Sequence, residues 1–385
     1  MTKILIAGTF DIIHPGHLDL FRQAKSLGDY LIAVVARDEN VIRNKGQKPF
    51  FDEIQRVKNL TEIKLIDQVI LGDIKDPYKV IREHNPAIVA LGYDQHAFVS
   101  GLSNLKINSD LAFKVSRLDP YQENYFKSNN IRKVLESAQS GCLLINKETN
   151  WTSHDVVAKL RSILKIKKIG HAGTLDPLAT GLLICAVNKA TTLLGWFNLL
   201  PKEYLATIKF GETSDSYDRL GAISVTDDNS TLTREGIEAA LNTFLGKQKQ
   251  LPPMFSAKKV NGQKLYKLAR QGKEIERTPA DIEFYDFKII DYTKPFLKVA
   301  VKCSAGTYIR SLAHDLGAKL GTGALLWELE RTAIGDFTVE QSCKLEALMQ
   351  PNAQVNLIPP EEIIRKINHA YLKLHKLVAS DLPKL

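Results

Sequence analysis

Two short stretches of this 385-residue chain gather residue types that can do chemistry. In GTFDIIHPGH (residues 8–17), His14 and His17 lie three apart where an apolar run gives way to a helix-like segment. The free N–H groups and dipole at a helix start favour an anion, and Gly8 and Gly16 let backbone approach a phosphate closely. Imidazoles placed there can donate to charge developing during phosphoryl transfer, where catalysis is mostly positioning and electrostatics. The competing reading is a metal pair, or surface histidines beside a turn. A metal wants a third ligand, and only Asp11 is near in sequence.

The second stretch is KKIGHAGTLDPLATGLL (residues 167–183). Pro177 has no N–H and restricts Asp176 to extended or turn conformations, so the carboxylate is presented rather than wound into a helix. It can act as nucleophile or base if a cation keeps it ionised. Arg310, in CSAGTYIRSL, is the candidate cation, able to clamp a carboxylate through two hydrogen bonds. Tyr308 precedes it by two, a spacing that on a strand puts both side chains on one face. Alone, an Asp-Pro after a glycine is a common turn and an Asp–Arg pair is often structural. The companion segments decide the matter.

These residues need elements to hold them. Up to about residue 139, KILIA, YLIAVVA, DQVILG and AIVALG read as buried strands. They alternate with helices at His17–Ser26, Asp52–Ile63 and Pro77–His84. That order predicts an α/β domain, a doubly wound parallel sheet with helices on both faces and ligands at the strands' carboxyl ends. Beyond a polar junction at Lys127–Gly141 the pattern becomes α+β. YLATIKF, FKIIDY and FLKVAVKC alternate like strands, and Asp155–Leu164, Thr233–Leu245 and Tyr308–Leu320 read as helices. The segment after Asp176–Pro177 reads as helix or strand. Expected domains are therefore residues 1–139 and 140–348. The tail 349–385 reads as prolines then a helix with a basic face, and it shows no glycine-rich β pattern.

Composition narrows the classes. Hydrophobic residues at 44% and charged residues at 25% suit a globular protein rather than a disordered one. The net charge is +9, divided into +2 over residues 1–139 and +7 over the rest, so a polyanionic partner fits the second part better. Apolar runs fall far short of the ~20 residues of a membrane helix, so no membrane association is expected. Asp11 interrupts the N-terminal apolar run, and no secretory cleavage pattern follows. Cys142, Cys185, Cys303 and Cys343 are scattered without a CxxC pair, which fits a reducing, cytoplasmic location better than disulfides or zinc.

GTFDIIHPGH is followed in order by AKSLGDYLIAVVARDENV, NKGQKPFFDEIQR, QVILGD and LGYDQ. Over residues 1–135 this resembles the HxGH cytidylyltransferase-like nucleotidyltransferases, archaeal-type FAD synthases first and glycerol-3-phosphate cytidylyltransferases next. The resemblance implies that Thr9, Phe10, His14 and His17 bind a nucleoside triphosphate. It also implies that Lys45, Lys48 and Arg56 face phosphates and that Asp94 contacts the nucleoside. Ser128, in YFKSNNIRKVL, is the candidate for the family's late phosphate contact. The implied substrates are ATP or CTP, with Mg2+, and a small phosphate-bearing acceptor, with FMN favoured.

GHAGTLDPLATGLL, KEYLATIKFGETSDSYDRLG, LPPMFSAKKVNGQKLYKLARQG, CSAGTYIRSLAHDLG and GALLWELERTAIGDF also occur in order. Over residues 141–340 they resemble the TruB family of tRNA pseudouridine-55 synthases. That implies an isomerase acting without cofactor or metal on uridine 55 in the T arm of tRNA, with Asp176 as the catalytic aspartate. Asp176 adds to the uridine or its ribose, the base detaches and rotates, and C5 rejoins the sugar. Tyr204 stacks on the uracil and is the candidate base for the C5 proton. Arg310 pairs with Asp176, Tyr308 walls the pocket, and His171 sits where the target base leaves its stack. Lys147 matches a lysine position of the family's first block, which implies a contact with RNA or the pocket, although Glu148 stands where a proline usually follows. The lysines interleaved with tyrosine and apolar residues in LRSILKIKKIGH and KKVNGQKLYKLARQGK suit a surface that tracks phosphates. The alternative is a non-catalytic tRNA-binding or tRNA-folding protein whose first domain senses nucleotide. No protein partner follows from the sequence.

Overall fold

Ile4, Leu5 and Ile6 are fully buried and make the middle of β1 (Lys3–Gly8), the first strand in a computed structural model of the chain. The structure describes residues 1–95, 101–102, 105, 111–122, 126, 128–226, 232–255, 259–260, 263–264, 275–350, 353 and 355–375. It divides into two compact units, Met1–Ala138 with the chain from Pro360, and Gln139–Pro359.

In the first unit, β1 is joined by β2 (Tyr30–Val35), β3 (Gln68–Leu71), β4 (Ile88–Leu91) and β5 (Lys114–Arg117). All pairings are parallel, in the order β3-β2-β1-β4-β5. The strand sequences are continuous apolar runs because such a sheet is covered on both faces. β1 lies between β2 and β4, so its carboxyl end is the point where the winding reverses and a crevice opens. The loop carrying His14 starts there. Helices α1 (Pro15–Lys25), α2 (Asp38–Lys45), α3 (Glu53–Thr61) and α4 (Lys79–His84) connect the strands. Helix α2 was not expected: DENVIRNK buries only Val41, so it has no apolar stripe to read. Strand β5 was missed for the same reason, since its KVSR leaves three of four residues exposed.

The tail does not stay together. Residues before Pro360 remain with the second unit, where Ile358 and Cys142 exchange backbone hydrogen bonds of 2.8 and 3.0 Å. The helix Pro360–Leu374 belongs to the first unit. It buries Ile363, Ile364, Ile367 and Tyr371, and Asn368 Nδ2 donates to the Ile13 carbonyl at 3.0 Å. A helix with that apolar face needs a partner, and α1 supplies one.

The second unit is built on a mixed sheet. Its strands are β6 (Gly141–Lys147), β7 (Ile169–His171), β8 (Thr180–Val187), β9 (Lys202–Phe210), β12 (Gly246–Gln250), β15 (Ala280–Thr293), β16 (Phe296–Cys303), β17 (Ala324–Ile334) and β18 (Phe337–Thr338). Two ribbons, β10 (Glu212–Ser214) with β11 (Ile223–Val225) and β13 (Lys259–Val260) with β14 (Gln263–Lys264), stand apart from it. The main path runs β12-β15-β16-β9-β17-β8-β6, with β7 on β8 and β18 on β17. β8 and β17 pair in parallel, at Thr180–Glu330 and Gly181–Arg331. Ile145, Leu183, Ile208, Val299, Leu312 and Leu326 share its core with helices Ser153–Leu164, Arg234–Asn242 and Ile309–Leu320. The four cysteines are free. No helix among the described residues is long and apolar enough to cross a membrane.

Candidate active site

Asp176 lies in the connection from β7 to β8, after a turn in which Gly173 takes φ 80°. The segment after Pro177 resolves to a strand, β8. Backbone tethers hold the loop. Ser153 Oγ accepts from the Leu175 amide at 2.9 Å and donates to the Leu175 carbonyl at 3.2 Å. The Asn150 amide donates to the Pro177 carbonyl at 2.8 Å. Lys147 is 0% exposed, and its Nζ donates to the carbonyls of Glu148 (2.9 Å), Trp151 (2.8 Å) and Pro177 (3.4 Å). This replaces the expectation that Lys147 contacts RNA or lines the pocket. Its ammonium is spent on carbonyls beneath the aspartate loop, and burial pushes its pKa down to about 8.

Arg310 is the second residue of the helix Ile309–Leu320, so strand alternation is not what sets it beside Tyr308. Its side chain is 4% exposed, with Nε 2.9 Å from Asp176 Oδ2 and Nη1 3.4 Å from Asp218 Oδ2. The Nε–H points off the carboxylate, making the contact ionic rather than an aligned hydrogen bond. Nη1 also donates to the Ser216 carbonyl (3.1 Å) and Nη2 to the Phe255 carbonyl (2.9 Å). One guanidinium is thus shared by two carboxylates and fixed by two carbonyls. Asp218 is buried and held by Ser216 Oγ (2.7 Å) and the Leu220 amide (3.0 Å). The Asp176 side chain is 35% exposed and free to meet a ligand. Burial raises its pKa above the usual carboxylate range; Arg310 pulls it back and Asp218 opposes Arg310.

These groups border a cavity of about 290 Å³ whose lining includes Asp176, Lys202, Tyr204, Tyr308, Arg310 and Arg331. Tyr204 on β9 stands opposite Arg331 on β17, and burial raises its pKa against the pull of Arg331. Tyr308 caps the helix of Arg310. Its amide donates to Gln250 Oε1 at 2.8 Å, and its carbonyl accepts from Gln250 Nε2 at 3.0 Å. Lys202 Nζ donates to the Phe197 and Leu200 carbonyls at 2.5 and 2.8 Å, and burial pushes it down to about 7. His171 is not among the lining residues. Its ring meets His154 edge-on at 5.4 Å, and burial lowers its pKa. Sequence reasoning singled out neither Asp218, Lys202 nor Arg331. All three lie inside the quoted TruB-like blocks, but the residues that join them to the site, such as Arg310 beside Asp218, are remote in sequence.

In the first unit, His14 caps α1. Its Nδ1 accepts from the His17 amide at 3.3 Å, and Pro15 takes the first helical position. The two imidazoles stack at 3.8 Å. A Cβ at residue 16 would come 3.1 Å from the His14 ring, so the close approach needs Gly16. Burial lowers both histidines; for His17, to about 4, with Lys45 adding to the effect. Phe10 is buried against His17 and Phe21 at 5.8 and 5.4 Å. Thr9 Oγ1 accepts from Lys45 Nζ at 3.0 Å. Asp11 accepts from the Phe50 and Phe51 amides at 2.8 and 2.9 Å, which ties down the chain beyond Lys48. Lys48 and Asp94 are exposed.

Arg56 does not face a ligand. It is fully buried, donating to the carbonyls of Thr9 (2.6 Å), Ala36 (2.8 Å) and Phe51 (3.2 Å), and it pairs with Asp38 at 2.6 Å. It holds the loop from beneath, because those four acceptors occupy its fork. The side chain of Ser128 lies outside the described residues.

Residues 161–309 match the family model "TruB family pseudouridylate synthase (N terminal domain)", and 310–367 match "tRNA pseudouridylate synthase B C-terminal domain". A tRNA pseudouridine synthase B from Clostridium tetani is 42% identical over 227 residues, 59% of this chain and 78% of that one. The chain belongs to the tRNA pseudouridine synthase B family. Ahead of its pseudouridine synthase part, residues 5–134 match the model "Cytidylyltransferase-like". Among solved structures, one from a Cbf5-Nop10-Gar1 complex is similar at 28% identity and TM-score 0.43. The match covers 55% of this chain and about half (53%) of that one. A lipopolysaccharide core biosynthesis protein from Thermoplasma volcanium is 40% identical, covering 32% of this chain and 99% of that one, at TM-score 0.30. In this TruB-family chain the C-terminal model begins at Arg310, and its last residues, 360–367, lie on the helix that packs in the first unit.

Proposed function

We propose that the second unit converts uridine 55 in the T arm of tRNA to pseudouridine, with Asp176 as nucleophile. The observation that carries this reading is the Asp176 carboxylate, held by Arg310 at 2.9 Å on the border of a cavity that Tyr204 and Tyr308 wall. Asp176 adds to the target uridine or its ribose, the C1′–N1 bond breaks with its electron pair going to the uracil, and the ring turns. A C5–C1′ bond then forms as Asp176 is released. Tyr204 takes the C5 proton, the C5–H electron pair restores the ring double bond, and N1 gains a proton. The product is an isomer, so no co-reactant is consumed.

Extruding the base from folded RNA costs about a few kcal/mol, which stacking on Tyr204 partly offsets. The second part's +7 charge suits a tRNA partner, and four free cysteines suit the cytoplasm. The test is mass spectrometry of a T-arm RNA after exposure to the purified chain, with chemical marking of pseudouridine. Marking at the target uridine supports the reading. RNA that binds but stays unmarked makes the protein a non-catalytic tRNA binder.

For the first unit we propose transfer of a nucleotidyl group from ATP or CTP, with Mg2+, to a small phosphate-bearing acceptor, FMN favoured. Neutral imidazoles of His14 and His17 at a helix start and Lys45 beside Thr9 are what support it. Incubating the full chain with labelled ATP or CTP and candidate acceptors, and assaying pyrophosphate, tests it. Tight nucleotide binding without pyrophosphate would make this unit a sensor.

A further inference from the structure

Arg331 is 1% exposed, and among the described residues no carboxylate pairs with it. A buried guanidinium without a counter-ion is expensive, so its surroundings should account for it. Nε donates to the Leu182 carbonyl at 2.8 Å and Nη2 to the Gly173 carbonyl at 3.2 Å. The guanidinium lines the cavity beside Tyr204, its register partner across β17 and β9, and its charge acts on the Tyr204 hydroxyl. The backbone is shaped to admit this strand. Gly181 holds φ 95°, and a Cβ there would meet the Arg331 carbonyl oxygen at 2.4 Å and its nitrogen at 2.8 Å.

A guanidinium can only donate. It therefore makes the Tyr204 oxygen an acceptor and favours the form of that oxygen which takes up a proton. The other groups acting on Tyr204 are Asp176 from the loop before β8 and Cys303 from β16. Lys202 lies two residues away on β9, its ammonium engaged by carbonyls. Arg331 bonds the loop that carries Asp176, through the Gly173 carbonyl, and lines the cavity beside Tyr204.

We propose that Arg331 is a positioning residue for the isomerisation: it holds the Tyr204 oxygen in the cavity as the proton acceptor while anchoring the Asp176 loop through Gly173. This rests on the reading of Tyr204 as the base for the C5 proton. It adds the residue that makes a tyrosine serve in that role.

The test is a double-substitution cycle on the full chain, with single-turnover modification of a T-arm RNA as the rate and RNA affinity as the check on folding. Arg331→Gln is expected to slow modification by about 100-fold and to move the acid limb of the pH–rate profile upward by about one unit or more. In a Tyr204→Phe background the same substitution should cost no more than about twofold. If Arg331→Gln is not recovered folded, Arg331→Lys carries the same cycle. The inference is overturned if the full loss persists in the Tyr204→Phe background, or if the pH profile of a folded Arg331 variant stays where it was. Undiminished modification by Tyr204→Phe alone would overturn the reading of Tyr204 as base, and the inference with it.

Discussion

The loop after β1 and the loop before β8 both hold reactive side chains against buried surroundings, with opposite electrostatics. In the first, burial keeps His14 and His17 neutral and, with a smaller push from nearby Lys45, brings His17 down to about 4. Asp11, the carboxylate nearest in sequence, is spent on two backbone amides. In the second, the reactive group is itself a carboxylate, set between a guanidinium that stabilises its charge and a second carboxylate that competes for it. One loop is a cluster of donors suited to an arriving anion. The other is an anion suited to attack carbon. Each is backed by a buried cation bonded to carbonyls: Arg56 beneath Thr9, and Lys147 beneath Pro177.

The comparison breaks most sharply at Asp176. Asp176→Asn keeps the shape and removes the proposed nucleophile, and should lower pseudouridine formation by about 10⁴-fold or more while T-arm RNA still binds. Persistent modification by that variant, read by mass spectrometry, would end the assignment. Asp218→Asn should cost less, about 10²-fold or more, because Arg310 loses one of the two carboxylates that orient it. Its single-turnover rate, compared with that of Asp176→Asn, separates attacking from orienting.

The donor loop should respond more mildly and only in its own reaction. His14→Ala or His17→Ala is expected to reduce pyrophosphate release by about 10²- to 10³-fold, the scale of losing one preorganised donor. Pseudouridine formation should be unchanged. A fall in both reactions would show that the two sites do not answer separately.

What the sequence made legible, and what it hid, follows the same division. Elements with an apolar rhythm were readable: β1, β2 and β4 as continuous runs, and the helices starting at Pro15, Ser153 and Arg234 within two residues of their structural ends nearest the loops. α2 and β5 were not, because each buries little and so carries little periodicity. Asp176, Tyr204, Tyr308 and Arg310 could be picked out by turn chemistry and family resemblance, and all four border one cavity. Asp218, Lys202 and Arg331 could not. A charge inside a strand or turn has no local signature; what marks these three is the cavity or guanidinium they share with residues remote in sequence. Arg56 and Lys147 erred the other way: cations beside reactive loops look like ligand contacts until burial shows them bonded to backbone.

A smaller effect tests which unit the C-terminal helix serves. Ile367 is fully buried on Pro360–Leu374, which packs on α1. Ile367→Ala should cost about 2–5 kcal/mol, the range for emptying such a site. The loss should appear in the unfolding of the nucleotidyltransferase-like unit, and pseudouridine formation should survive. Hydrogen exchange resolved by residue reads this directly. Lost protection in β9 and β17 instead of β1 and β2 would assign the helix to the other unit.

The smallest expected effect per step is the pH dependence, and there the two units should share a sign but part in the pH window where it acts. His17 binds its proton with pKa about 4 when folded against 6.5 when unfolded. Between those values the unfolded state holds more protons, so acidification from 6.5 to 4 removes stability from the first unit, by up to about 1.4 kcal/mol per pH unit. Below 4 both states are protonated and the loss levels off. In the second unit Lys202 is depressed from 10.5 to about 7. Here too the unfolded state holds more protons inside the window, but the window lies at pH 7 to 10.5, so stability rises as the solution is made alkaline and the buried ammonium is relieved of its charge. Lys147, from about 8, adds in the same direction. Residue-resolved hydrogen exchange, corrected for the intrinsic pH dependence of exchange, should therefore show β1 and β2 opening on the acid side while β9 and β17 tighten on the alkaline side. In Lys202→Met the alkaline gain should shrink to the part due to Lys147. If it does not, the charge that strains the second unit lies somewhere other than behind the aspartate cavity.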